Sequence, residues 1–347
     1  MVSPALAQPP MEVLNHLRHG VNITGWFRFP GSRDPAALAR WMTDAAMAEL
    51  RRAGFDFVRL AMDPDVLESP GVRDVAVGAV CRLQRQGLAV VVDAHPTGWH
   101  LETDAADRDR LRAFWRAMGS ALRRCDPRLI VPEILNEPVF PGDSAGWGAL
   151  QHTILMELRT ALPHSTIVLT GQDWGSIGGL LALTPEPDPN VLYSFHFYDP
   201  PELTSLAAYR PGLDRAALAR LPFPIGDRTA CEATAPTGDP TAELMRYYCA
   251  MGWDGAAIGQ RIGTAATWAR AHSVRLLAGE FGASNGLNAP ARMAWLRTVR
   301  QALEESGIGW ALWGYDDIMG FAVRRPPVAR PILDANILIV LGMPPKR

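Results

Sequence analysis

Two glutamates set the chemistry open to this chain of 347 residues. Glu137 follows the apolar run Leu129-Ile130-Val131-Pro132-Glu133-Ile134-Leu135 and lies between Asn136 and Pro138. The run is short and bounded by Asp126-Pro127 and Pro138, so it reads as a buried strand rather than a helix. Glu280 has the same setting, near the end of Val274-Arg275-Leu276-Leu277-Ala278-Gly279-Glu280-Phe281-Gly282. Two carboxylates delivered by two buried strands suit glycoside cleavage, where one carboxyl protonates the leaving oxygen and the other attacks the anomeric carbon.

Other polar and aromatic side chains fall at the ends of further apolar runs: Arg59, His95, Asn136, His196, Tyr198 and Trp313. Their convergence on one rim is hard to explain by packing alone. For Arg59 two readings stand, an ion pair inside the sheet with Glu133 or a contact with the reacting carboxylate.

These residues need an architecture that brings strand ends together. His19–Gly25 reads as the first strand, and Asp34-Pro35 caps a helix that helical spacing of Leu38, Trp41, Met42, Ala45 and Leu50 carries to Gly54. Strand two is Phe55–Ala61. A helix near Val72–Gln86, strand Leu88–Asp93 and a helix over Asp104–Arg124 follow, so Glu137 belongs to strand four. A helix near Ser144–Leu162, strand Thr166–Thr170, a short helix near Ser176–Leu183 and strand Val191–Phe197 come next. Strand seven carries Glu280, and Ile308–Trp313 is strand eight. Strands that are nearly continuous in apolar residues and alternate with helices are parallel strands covered by helices. The fold class predicted is α/β, a single (β/α)8 TIM barrel with chemistry at the C-terminal strand ends. Tyr198–Gly255 interrupts the rhythm as a long insertion after strand six, with a helix near Thr241–Met251, and is assigned to the rim of the cleft.

A net charge of -2 provides no basic field for nucleic acid, and no apolar run is long enough to span a bilayer. Residues 1–10 form a signal-like or disordered lead, with small-x-small ending at Ala7, and 11–347 the catalytic domain. Cys231 and Cys249 are the candidate disulfide, whereas Cys81 and Cys125 are expected as small buried thiols. No His-Glu-x-x-His or cysteine pair at ligand spacing calls for a metal, and neither a serine elbow nor a phosphate-cradling loop is present. No cofactor is expected. Heptads, repeats and charge blocks are absent, which gives a structural or partner-binding role no positive sign; a monomer is expected.

The ordered set of His19–Trp26, Gly54–Leu60, Val91–His95, Glu133–Pro138, Ser194–Tyr198, Gly279–Gly282 and Trp310–Trp313 closely resembles glycoside hydrolase family 5, which contains many cellulases. The resemblance implies that Glu137 is the acid/base, Glu280 the nucleophile, and the outcome retention. It implies Arg59 and Tyr198 as donors to Glu280, and Asn136 on the substrate's 2-hydroxyl. His95 and His196 would hold sugar hydroxyls or the acid/base, and Trp313 would floor the reacting ring. Ala61 and Ala94 stand where bulkier residues are frequent in the family and would widen the pocket.

Trp26, Trp99, Trp147, Trp174 and Trp253 are candidate sugar platforms, Trp26 and Trp174 foremost, because an indole packs on the apolar face of a pyranose. Asp316 and Asp317 are placed to meet hydroxyls further along the cleft. The reading expected from all this is a secreted or periplasmic endo-β-1,4-glucanase acting on a β-glucan poly- or oligosaccharide. Alternatives are an exo-acting enzyme, one acting on mannan, xyloglucan or β-1,3-glucan, and a non-catalytic carbohydrate-binding barrel.

Overall fold

The structure is a computed structural model that describes residues 8–236, 238, 240–316 and 333–343. Eight parallel strands close a barrel in chain order: β1 His19–Phe27, β2 Phe57–Met62, β3 Ala89–Ala94, β4 Ile130–Glu133, β5 Ile167–Thr170, β6 Val191–Phe197, β7 Leu276–Phe281 and β8 Gly309–Leu312. The expected TIM barrel is the observed fold, and the lead through residue 7 lies outside the described residues.

Side-chain alternation divides the barrel interior into layers. Near the N-terminal end, Phe57, Val91, Val131, Val168, Leu192, Leu277 and Ala311 form an apolar plug, closed from below by Val13 and Leu17. Val13 lies in a short helix, α1 (Met11–Asn15). Gly20 leaves the space that the Phe57 ring occupies. Two residues further along the same strands, the inward positions turn polar: Arg59, Asp93, Glu133, Thr170 and Ser194, all buried. The ionic layer thus sits on an apolar floor, directly below the mouth.

Between the strands and the outer helices lies the larger apolar core. The helix expected over 34–54 is two, α2 (Pro35–Ala39) and α3 (Asp44–Ala53). Thr43 breaks it, extended at ψ 157° with its side chain accepting from Ala46 N. Next come α4 (Pro70–Arg85), α5 (Ala105–Leu122), α6 (Ser144–Ala161) and α7 (Ile177–Leu181). Cys81 and Cys125 are not free thiols: a disulfide ties α4 to the residues just after α5, with Cα atoms 5.1 Å apart. Consecutive βα units place these helices side by side, a proximity that a sequence separation of 44 does not reveal.

The insertion after β6 contains α8 (Pro201–Thr204), α9 (Arg215–Leu218) and α10 (Arg228–Glu232) besides α11 (Pro240–Met251). The Cys231–Cys249 disulfide joins α10 to α11, as expected. The insertion packs on the β6–β7 side: Ser284 N donates to Thr204 O at 2.7 Å, and Asn288 Nδ2 donates to the carbonyls of Ala219 and Leu221 at 2.9 and 2.8 Å. Helices α12 (Gly255–His272), α13 (Ala289–Glu305) and α14 (Ala335–Val340) complete the outer layer among the described residues. No described helix is long and apolar enough to cross a membrane.

Candidate active site

Arg59, inward on β2 and buried, is the hub of the ionic layer. Its Nε and Nη2 donate to the two oxygens of Glu133 at 2.6 and 3.0 Å, while Nη1 donates to Glu280 Oε1 at 2.7 Å. Both readings of Arg59 therefore hold at once. The same guanidinium reaches Asn22 Oδ1 and Asn136 Oδ1, each at 2.9 Å, and lies 3.2 Å from Asp93 Oδ2. A planar fork with five donors meets this many acceptors where an ammonium would not.

Glu280 is brought to the hub by an irregularity. The β6–β7 register pairs Phe195 with Ala278 and then His196 with Glu280, so Gly279 is an extra residue on β7. A Cβ on Gly279 would lie 2.6 Å from Ser194 Oγ and 3.3 Å from His196 Nε2, so the close approach needs glycine. Asn22 Nδ2 fastens the bulge by donating to Gly279 O at 3.1 Å. The Glu280 carboxylate is bound from two sides, by Arg59 and by Tyr198 Oη, which donates to Oε2 at 2.8 Å. Burial raises the pKa of such a group, but the His196 and Arg59 charges and the Tyr198 hydrogen bond outweigh it, leaving Glu280 at about 2.

Glu137 lies beyond the last residue of β4, which ends at Glu133 rather than at Leu135. Its side chain keeps 26% exposure against 5% for Glu280. His196 Nδ1 sits 2.8 Å from Glu137 Oε1 and 3.6 Å from Glu280 Oε2. Burial works against a charge on His196, yet Glu280 and Glu137 together raise its pKa. One oxygen of Glu137, one of Glu280 and a ring nitrogen of His196 all lie within 4.8 Å of one another. These are also the described side chains close enough to share a metal ion. A cation there would face Arg59 on Glu280 and His196 on Glu137, so the donor set favours proton transfer over metal binding.

His95 lies in the same mouth, its Nδ1 2.8 Å from Asp93 Oδ2 and its ring centroid 6.0 Å from that of Trp313. Burial and the Arg28 charge hold its pKa well below the usual value, so a neutral ring donates to Asp93. Burial also lifts Asp93, to about 6, against the opposing charge of Arg59. Trp313, buried at the end of β8, anchors its backbone N on Phe281 O at 2.8 Å.

Of the indoles, Trp174 is the exposed one, at 62%, in a turn where Asp173, Trp174 and Gly175 all have positive φ. It borders the cleft beside Glu137, as Trp99 does. Trp26 is not a platform: it is fully buried, stacked on Trp41, and its Nε1 donates to Leu38 O at 2.8 Å. Trp147 is likewise core, donating to Thr170 O. Trp253 packs against the core. Asp316 does not face the cleft freely: it accepts from Thr24 N and Oγ1 and from Gly25 N, clasping the residues after β8 to strand β1. Asp317 lies outside the described residues.

Three site residues escaped the sequence reading: Asn22, Asp93 and Arg28. The first two carried a signal, since each is a polar residue inside a largely apolar strand. Arg28 carried none, because its position depends on the turn after β1.

Among curated proteins, endoglucanase C of Acetivibrio thermocellus is 24% identical over 92% of this chain and 97% of its own length. Cel5A of Thermotoga maritima shares the fold in structures with cellobiose and with mannotriose, at TM-scores 0.75 and 0.74, 19% and 20% identity, over 96% of this chain and 99% of that one. The cellulose synthase subunit Z of Clostridioides difficile does so at TM-score 0.74 and 20% identity, over 94% and 99%. Residues 19–317 match the cellulase model, glycosyl hydrolase family 5. With that match spanning the whole barrel and its mouth, the chain belongs to glycosyl hydrolase family 5 and is a glycoside hydrolase.

Proposed function

We propose that this enzyme is a retaining endo-β-1,4-glucanase, with Glu137 as acid/base and Glu280 as nucleophile. The observation that carries the reading is the approach of their carboxylate oxygens within 4.8 Å. Retaining glycosidases hold their carboxyl groups about 5 to 5.5 Å apart, too close for a water between sugar and base.

The two environments suit two different tasks. Glu280, buried and charge-stabilised, stays ionised and attacks the anomeric carbon as the bond to the leaving oxygen breaks. Glu137, reachable from the cleft and held by His196, gives its proton to that oxygen. The glycosyl–Glu280 ester is then opened by a water whose proton returns to Glu137, restoring both groups with the anomeric configuration retained. Arg59 and Tyr198 keep the nucleophile in position, and Trp313 and Trp174 offer apolar faces to the sugars.

A β-1,4-glucan as substrate is supported by the endoglucanase relative. β-Mannan is the second reading, because the Thermotoga protein was solved with mannotriose as well as cellobiose. Two disulfides support a secreted or periplasmic location. The test is product analysis on defined β-glucans and β-mannans, with NMR of the first-formed anomer. Initial release of the β-anomer from internal cuts in glucan is expected, and initial α-anomer would overturn the mechanism.

A further inference from the structure

Arg28 follows β1 and borders the cleft together with His95, Asn136 and Glu137. Its guanidinium lies 4.5 Å from the Phe29 ring centroid and 5.8 Å from that of Trp313. Glu280, Asp93 and Glu137 all act on it electrostatically. Even so, Arg28 forms no ion pair with any described residue, and its Nε is buried without a hydrogen-bond partner. Contrast Arg59, whose donors are all engaged, by the carboxylates of Glu133 and Glu280 and the amide oxygens of Asn22 and Asn136.

A half-buried guanidinium without an acceptor is costly, and ring contacts of this kind recover only part of that cost. Burial accordingly outweighs the nearby carboxylates and depresses the pKa of Arg28. Among the described residues, carboxylates are at hand yet none pairs with this fork, which borders the space where a sugar chain would run. A planar pair of N–H donors is geometrically matched to a carboxylate, which it can bind through two parallel hydrogen bonds. Phe29, 54% exposed, extends the apolar surface beside it, as a pyranose ring needs.

We propose that Arg28 is a specificity-determining residue that recognises a carboxylate carried by the glycan, so the cleft takes acidic β-glucans, such as chains with uronic acid units, in preference to neutral ones. This rests on the cleft being a glycan site, as proposed above, and adds the charge of the preferred chain.

The experiment pairs neutral cello-oligosaccharides with counterparts whose C6 hydroxymethyl groups are oxidised to carboxylates. Binding is measured by calorimetry on the wild type, Arg28→Gln, Arg28→Lys and the cleavage-impaired Glu280→Gln, with kcat/KM alongside for the wild type and the Arg28 variants. The wild type should favour the acidic ligand about tenfold, as a charge-assisted hydrogen bond allows. That preference should fall with added salt, disappear in Arg28→Gln, and be partly kept in Arg28→Lys, which has the charge without the fork. Equal affinity for both ligands in the wild type, an acid preference that survives Arg28→Gln, or binding of neither ligand would overturn the proposal. Preferential binding of the acidic ligand without turnover of either would leave Arg28 recognition standing and remove the hydrolase mechanism instead.

Discussion

Arg59 donates to Glu280 Oε1 through Nη1 at 2.7 Å while its Nε and Nη2 are committed to Glu133. One buried cation thus fixes the carboxylate assigned as nucleophile against a second carboxylate that takes no part in bond-making. Breaking a buried pair by removing one partner costs about 3 to 5 kcal/mol. Arg59→Met, which leaves three acids without their cation, should lose at least that much in urea unfolding. Arg59→Lys keeps the charge but cannot fork, and a small displacement of Glu280 should lower kcat by roughly a hundredfold. Lysine behaving like the wild type in kcat would mean that charge, not geometry, is what Glu280 needs.

Glu137 and Glu280 should fail in distinguishable ways. An aryl β-cellobioside carries a leaving group that departs with little protonation, so Glu137→Ala should still form the glycosyl-enzyme quickly. Its hydrolysis lacks the base and should slow by about 10² to 10⁴-fold. Stopped-flow absorbance should record a burst of one phenolate per enzyme followed by a slow steady state. Glu280→Gln should show neither burst nor turnover. A burst in Glu280→Gln would reassign the nucleophile.

The acid side of the stability profile follows from Glu280. An unfolded glutamate titrates near about 4.3, whereas folded Glu280 is held at about 2. Between those values the unfolded chain binds a proton that the folded protein does not, so stability falls as pH drops through this window. The contribution is fully present above the unfolded value and gone below about 2. Calorimetric unfolding of Glu280→Gln should show a pH slope shallower by about one proton across this window. Parallel slopes would mean Glu280 titrates alike in both states.

The disulfides differ in what they should contribute. By loop-closure entropy, a bridge over a separation of 44 stabilises by about 4 kcal/mol and one over 18 by about 3 kcal/mol. Replacing Cys81 and Cys125 together by serine should therefore lower stability somewhat more than replacing Cys231 and Cys249. Chemical denaturation of the two double variants decides the order. Only the second pair was legible in the sequence, because both cysteines fall in one insertion. The first is created by the barrel, which sets α4 beside α5.

That contrast holds for the site as a whole. Strand β6 was readable to the residue, Val191–Phe197, because Val191, Leu192, Tyr193, Phe195 and Phe197 mark it out despite Ser194 and His196. The convergence of Glu137, Glu280, His196 and Tyr198 on one mouth followed from strand ends, whereas Arg59 lies mid-strand in the layer below it. What failed were properties set by neighbours in space. Trp26 and Trp174 both read as following apolar strands, yet Trp26 lies within β1 and donates into the core, while Trp174 stands in solvent. The 34–54 helix looked continuous by periodicity, while the Thr43 cap inside it is the signal that was passed over.

Gly279 offers the sharpest test of how backbone geometry reaches the chemistry. Added at this bulge, a methyl group would press on Ser194 Oγ at 2.6 Å and on His196 Nε2 at 3.3 Å. His196 cannot yield freely, since its Nδ1 is held by Glu137 at 2.8 Å. Overpacking of this kind costs about 1 to 3 kcal/mol, and the displaced ring would carry Glu137 and Glu280 out of register. Gly279→Ala should therefore lower both Tm and kcat. Ser194 Oγ is buried and without a hydrogen-bond partner, so Ser194→Ala alone should be nearly silent. Combined with Gly279→Ala it removes the nearer clash, and the double variant should recover most of the lost kcat. A double variant no better than Gly279→Ala would place the defect in His196 itself, and thus in the link that joins the two carboxylates.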